Sequence, residues 1–274
     1  MSLFELLQTY NPSVEKIVES PIVNAANIEV GWNSFVLEDD GFVVAGGTST
    51  DRMKARRIAL AEGLERAIVG RLSADKVKSV EFGFDKVPGS IGCAVGFERL
   101  PTKIRSVCEG VEFAVRDVLG RRPLNFEKTD VVLKSDLTRK FSEEFDSLQF
   151  WKLEIQNVLW NEAVGSLYFF LCLGSAANGT FAGYRVAPSG SQGWDHALIE
   201  CSRNLNNYNS FCKGSLDSRS QKLAAGLNVE ALLNPDYFEN CISFLENTSV
   251  RPILVKEHDG LREVYFFRSC FKVF

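Results

Sequence analysis

Histidine is nearly missing from this chain: His196 and His258 are its two imidazoles in 274 residues. With so few, and with no ligand pair at zinc spacing, a structural zinc site is not expected. The seven cysteines (Cys93, Cys108, Cys172, Cys201, Cys212, Cys241 and Cys270) include no CxxC pair. Their odd number and their apolar surroundings read as buried, reduced thiols. A nucleophilic cysteine would need an electropositive setting, and none is visible. There is no basic excess either. The 31 Lys and Arg face 35 Asp and Glu, a net charge of -4, which argues against a general nucleic-acid binder. Long apolar runs are also lacking. The longest, Ser166 to Gly174 ("SLYFFLCLG"), is strand-sized, against the ~20 residues of a membrane span. The start, "MSLFELLQTYNPSVEK", has an early acid and neither the basic opening nor the apolar stretch of a signal peptide, so a cytoplasmic protein is expected.

What is present suits a packed globular protein. Hydrophobic residues make up 45% of the chain, enough for a sizeable core. The patterns predict strands over Ile28–Leu37 and Gly41–Ala45 around an "EDDG" turn. A helix follows from Asp51 to about Leu72, with Thr50 or Asp51 as its cap. Further strands are expected near Val80–Phe84 and within "GSIGCAVGF", then a helix over Leu100–Leu119. Thr129–Leu133 reads as a strand and Ser142–Trp151 as a helix. Leu153–Leu159 and Val164–Leu173 read as strands, and "GSAANGTFAGYRVAPSGSQG" as a loop. Helices are expected over Trp194–Asn207 and Pro235–Leu245, and closing strands near Ile253–Glu257 and Val264–Phe271. Interleaved strands and helices give an α/β (α+β) class. No proline-rich linker divides the chain, so one domain over residues 1–274 is expected.

A weak internal repeat runs through this pattern: an apolar strand, a glycine-containing bend, and a helix bearing glutamate. The copies are "FVVAGGTSTDRMKARRIALAEGLERA", "GCAVGFERLPTKIRSVCEGVEFAV" and "GTFAGYRVAPSGSQGWDHALIECSRN". Their helices carry Glu62 and Glu65, Glu109 and Glu112, and Glu200. Residues three apart on a helix share a face, with roughly 5–6 Å between Cβ atoms. Like charges so placed repel weakly in water and far more strongly in a low-dielectric cleft. Arg66 could compensate in the first copy, whereas the second has Phe113 in the equivalent place. Carboxylates from several helices that converge on one cleft would suit a divalent cation, and magnesium bridges carboxylates to nucleotide phosphates. An ExxE pair on a solvated face is the alternative reading. Against it stand the positions of the acids beside Ile58, Leu64, Val107 and Val111, and their recurrence in each copy.

These residues resemble the YcaO family. The segment Gly46–Arg66, "GGTSTDRMKARRIALAEGLER", is similar to the family's glycine-rich turn and S-A-L-x-E-A-x-E-R helix. Ser90–Asp117 resembles its second ExxE segment, and "HALIECSR" (His196–Arg203) its A-L-x-E helix. The resemblance covers about residues 41–207. It implies ATP and magnesium, and activation of a backbone amide in a ribosomally made precursor peptide by phosphorylation of the amide oxygen after a nucleophile adds. The products in that family are azolines (cyclodehydration), thioamides or amidines. It implies Glu62, Glu65, Glu109, Glu112 and Glu200 as magnesium ligands. Arg66, Gly46, Gly47 and His196 would lie on the nucleotide side. Departures stand at Ile58, Ala94, Phe97, Phe113 and His196, the stretch Ile68–Gly89 is short, and "FFRSCFKVF" lacks a proline-rich tail.

The expected architecture is thus a single YcaO-like domain of three strand–loop–helix units around a carboxylate-lined cleft. The expected partners are a precursor peptide and a separate peptide-recognition protein, with a homodimer also open, and neither nucleic acid nor membrane. The departures favour a second reading, a degenerate subunit that binds a peptide or a catalytic homologue. No catalytic residue is identified. "GSAANG" lacks the Lys-Ser/Thr of a P-loop and reads as a loop, and Glu98 and Arg99 read as solvated. Phe266, Phe267, Phe271 and Phe274 are either a partner surface or alternately inward-facing strand residues.

Overall fold

The computed structural model describes residues 2–87, 89–119, 126–133, 135–155, 167–177, 179–188, 191–211, 250–258 and 264–273. The chain divides into two compact units, one formed by Met1–Gly110 with Ile253–Cys270, the other by Val111–Pro252 with Phe271–Phe274.

The first unit opens with α1 (Leu3–Tyr10), started by a capping box in which Ser2 and Glu5 satisfy each other's backbone N–H. An antiparallel sheet follows in the order β1 (Val14–Val23), β2 (Glu29–Glu38), β3 (Val43–Ser49). The helix α2 (Arg52–Ala74) starts where the sequence predicts, because the Asp51 carboxylate accepts the Lys54 N–H at 2.6 Å. Its inner face, with Ala59, Leu64 and Ile68 at 1% exposure or less, packs with Leu7, Val36 and Ala45 into one core. Each fully buried Leu or Ile there is worth about 1.5–3 kcal/mol. Asp75 ends α2 and caps α3 (Lys76–Glu81), accepting the N–H groups of Val77 and Lys78 at 2.9 and 3.1 Å. The strand expected at Val80–Phe84 is therefore a helix end and a turn. Its apolar residues misled because Phe82 and Phe84 enter the core from that turn, 0% and 5% exposed. The strand β4 (Cys93–Gly96) lies in a second sheet, ordered β4–β10–β9, with β9 over Val250–Glu257 and β10 over Tyr265–Val273. Phe266 and Phe267 are both buried and Phe271 is 8% exposed, so these residues form no partner surface.

The boundary between the units falls within α4 (Arg99–Val118). The second unit holds a four-stranded antiparallel sheet ordered β5 (Glu127–Lys128), β6 (Ser147–Ile155), β7 (Leu167–Ala176), β8 (Gly179–Ala187). Two helices accompany it, α5 (Asp136–Ser142) and α6 (Ser191–Phe211). The strand expected at Thr129–Leu133 is shorter and earlier. The helix expected at Ser142–Trp151 is instead the end of α5, capped by Ser135, and then β6. Residues Ser147–Ile155 are held extended by pairing along their whole length with β7. The expected loop "GSAANGTFAGYRVAPSGSQG" is largely hairpin: β8 pairs with β7 from Tyr168–Ala187 to Ala176–Gly179. Its small residues weaken the strand signal, and Gly179 turns the chain with φ 127°. Within "GSAANG", Gly174–Ala176 and Gly179 are thus rungs of this ladder. The expected helix at Pro235–Leu245, together with Cys212, Cys241 and Phe274, lies outside the described residues.

All three repeat copies are strand–bend–helix units, β3–α2, β4–α4 and β8–α6. Each strand stands at the end of its sheet. The five described cysteines, Cys93, Cys108, Cys172, Cys201 and Cys270, are buried thiols outside any disulfide.

Candidate functional site

The helix α2 lies unusually close to β3 at Gly47. A Cβ there would meet the Ala55 carbonyl oxygen at 2.1 Å and the Ala59 nitrogen at 2.7 Å. One turn beyond Ala59, Glu62 reaches the outer edge of β3. Its Oε2 accepts the Gly46 N–H at 3.3 Å, and its Oε1 accepts from Arg66 at 2.5 Å. Arg66 donates also to the Val44 carbonyl. Glu62 and Arg66 therefore give the edge of β3 the partners that a neighbouring strand would have supplied. Gly46 and Gly47 belong to this strand and its helix contact rather than to a flexible phosphate loop.

Glu65, three residues on, is 7% exposed. Among the described residues no hydrogen bond reaches its carboxylate. Burial, foremost, and then the neighbouring Glu109 push this carboxyl well above the ordinary range. Arg105 opposes that rise, Glu62 adds to it, and Arg66 opposes it. Burial likewise raises the Cys93 thiol, with Glu65 and Glu109 adding to the effect. The buried acid, the second acid and the thiol thus share one neighbourhood. Arg105, one turn before Glu109 on α4, donates to the Val95 carbonyl of β4 at 3.1 Å. The sequence reading passed over Arg105, although a cation four residues before a glutamate faces the same side of a helix.

In the second unit, Glu112 accepts the Val186 N–H on its Oε2 at 3.3 Å and lies 3.9 Å from Arg116. Arg116 stacks over Tyr184 at 4.7 Å. Burial pushes the Tyr184 hydroxyl up to about 12, against the pull of Arg116 and with Cys201, Glu112 and Glu200 adding to the rise. The β8–α6 contact repeats the β3–α2 one. A Cβ on Gly183 would meet the Ala197 oxygen at 1.9 Å and the Cys201 nitrogen at 2.4 Å. One turn on, Asn204 donates to the Ala182 carbonyl at 2.8 Å. In this register Asn204 has the place of Glu62, and Glu200 has the place of Ile58. The acid of the third copy therefore does not recur at the position of the first, because the glycine contact and not the acid sets the alignment. His196 is exposed on α6. A further acid, Glu144, accepts from Ser202 at 2.5 Å and Asn206 at 3.4 Å on the same helix. Burial raises its carboxyl, against the pull of the Ser202 bond.

Among the described residues no group of three His, Cys, Asp or Glu side chains is placed to hold a metal ion. No helix there is long and apolar enough to cross a membrane.

No family model and no curated protein matches this sequence. Solved structures match it by fold. YcaO from Methanopyrus kandleri, bound with AMPPCP and Mg2+, has a TM-score of 0.60 at 13% identity, over 97% of this chain and 86% of that one. A chain of the E. coli microcin synthetase McbBCD complex with pro-MccB17 bound has 0.56 at 10% identity, over 94% and 86%. A heterocyclase in complex with substrate and cofactor has 0.52 at 10% identity, over 99% of this chain and 52% of that one. At such identities the likeness is one of fold. This chain has the mixed α/β fold seen in YcaO proteins, and the likeness extends well beyond the span that the motifs cover.

Proposed function

We propose that this chain is a YcaO-type component of a peptide-modifying system, acting on backbone amides of a ribosomally made peptide that a separate protein presents. Its ligands would be ATP and magnesium. The likeness in fold to a YcaO bound with AMPPCP and Mg2+, and to a synthetase bound with pro-MccB17, supports this reading. The observation that carries it for this chain's own residues is Glu65, a carboxylate buried beside Glu109. Magnesium takes one or two protein carboxylates and leaves its remaining positions to water and phosphate. The Glu65–Glu109 pair fits that demand without a third acid. Glu62 does not, since both its oxygens are engaged by Arg66 and Gly46. Glu112 already accepts from Val186, and Glu200 has no counterpart in the β3–α2 register. Bound magnesium would supply charge neutralisation for a nucleotide. The chain's own part is to hold the pair in a low-dielectric core, where an added positive charge is favoured most.

Calorimetric titration of the full chain with ATP and magnesium tests the reading. Binding is expected, and Glu65→Gln should weaken it about 10- to 100-fold while leaving the fold intact. The same affinity in both proteins would remove Glu65 from the site.

The degenerate-subunit reading is favoured by a different observation: the glycines expected near the nucleotide lie in β3, with the space over Gly47 filled by α2. On that reading the chain binds no nucleotide even at millimolar concentration and copurifies with a catalytic homologue.

A further inference from the structure

A cation sits inside the core of the first unit with most of its donors unused. Arg268 stands on β10 opposite Cys93 of β4. It is two residues after Phe266 and so shares that residue's face of the sheet. The face packs into the core that contains Phe82, Phe84, Cys93 and Phe266. Arg268 is 0% exposed, and a guanidinium cannot shed its proton in a protein. Its Cζ lies 3.7 Å from the centre of the Phe84 ring, and its Nη2 donates to the Val87 carbonyl. Its Nε and Nη1 are buried with no hydrogen-bond partner. A charge so placed is costly to the fold, because neither water nor a bonded carboxylate repays its desolvation. Both groups that touch it belong to one surface turn. The Lys86 and Val87 N–H groups close that turn on the Gly83 carbonyl at 3.2 and 3.0 Å. Gly83 has φ 67°, and Asp85 and Lys86 are exposed. The guanidinium is thus covered by a short turn bonded to itself and not by a strand or a helix.

We propose that Arg268 is a binding site for the carboxylate of a small organic acid, admitted when the Gly83–Val87 turn moves aside. The planar donor set of an arginine matches a planar carboxylate. Charge-assisted bonds of that kind are roughly twice as strong as neutral ones, so the carboxylate displaces the Val87 carbonyl. One negative charge neutralises the one positive charge, whereas a doubly charged anion would leave an excess charge in the core. The Phe84 ring, stacked in turn on Phe82 at 6.3 Å, suits an acid with an apolar body. The site uses neither Glu65 nor Glu109 and stands whether or not the chain binds a nucleotide.

The test follows thermal unfolding of the full-length chain in sodium benzoate, against sodium chloride at equal ionic strength. Benzoate should raise the melting temperature along a saturating curve, by about 2–5 °C at about ten times the half-saturating concentration. In chloride, Arg268→Met should melt at or above the parent, since the variant removes a buried charge that lacks a partner. In benzoate it should show none of the parent's shift. Arg268→Lys keeps the charge and loses the planar fork, and should keep less than about half of the shift. No benzoate shift in the parent overturns the proposal. The same shift in Arg268→Met also overturns it, since the acid would then bind elsewhere. If Arg268→Met does not fold, Arg268→Lys decides: a reduced shift supports the site, and the full parent shift overturns it.

Discussion

The units β3–α2 and β8–α6 begin with the same packing and end with different chemistry. In each, a glycine lets the helix backbone press onto the strand, at Gly47 against Ala55 and Ala59 and at Gly183 against Ala197 and Cys201. In each, a helix side chain one turn later satisfies the strand's outer edge. In the first that side chain is the charged Glu62, braced by Arg66; in the second it is the neutral Asn204. The close approach is what the two copies hold in common. The acids are placed one by one on top of it, which is why Glu62 works on an edge while Glu65, three residues on, is buried beside Glu109.

The largest effect should come from breaking the common feature. Gly47→Ala and Gly183→Ala should each cost about 3 kcal/mol, because backbone atoms stand where the new methyl must go. Denaturant titration of both variants checks this, and a neutral result for either one would separate the two units. Next in size, Asn204→Ala leaves the Ala182 carbonyl without its donor and should cost about 1 kcal/mol, read from the same titration. Smaller again, Glu62→Gln should cost about 0.5 kcal/mol, since it keeps one edge bond and loses a half-exposed ion pair. A cost as large as that of Asn204→Ala would mean that the charge matters more to the edge than geometry suggests.

The smallest effect concerns pH and is confined to the β8–α6 side. Burial raises the folded carboxyl of Glu144 above its ordinary value of 4.5. The folded state then holds that proton longer than the unfolded state. Its contribution to stability is full below the ordinary value and is lost as pH rises through the folded one. Glu144→Gln should therefore flatten the fall in stability as pH rises above the ordinary carboxyl value, by about a few tenths of a kcal/mol, the scale of a partly exposed group. A steeper profile in the variant would contradict the assigned direction.

Much of the site's local structure was legible from residue to residue. Asp51 announced the start of α2, and Ile58 and Leu64 beside the acids announced that these lie near the buried side of the helix. The repeat of strand, bend and helix was also readable, even across the segment whose glycines made it look like a loop. Ser2 and Glu5 carried a capping signal for α1 that the strand-and-helix patterns further along overshadowed. The missed strand β8 and the missed first half of β6 had a different origin: each is held extended by its ladder with β7, the neighbouring strand in the sheet, and a segment's own pattern does not encode a ladder.

The sequence by itself determined the α/β class and the helix carrying Glu62 and Glu65, since caps and periodicity are local sums. Only the tertiary structure decided which carboxylate is buried, which ones cap strand edges, and that Glu200 has the place of Ile58. Those outcomes turn on how near a helix can approach a strand. That distance is set by a missing Cβ at Gly47 and Gly183 meeting a backbone many residues away.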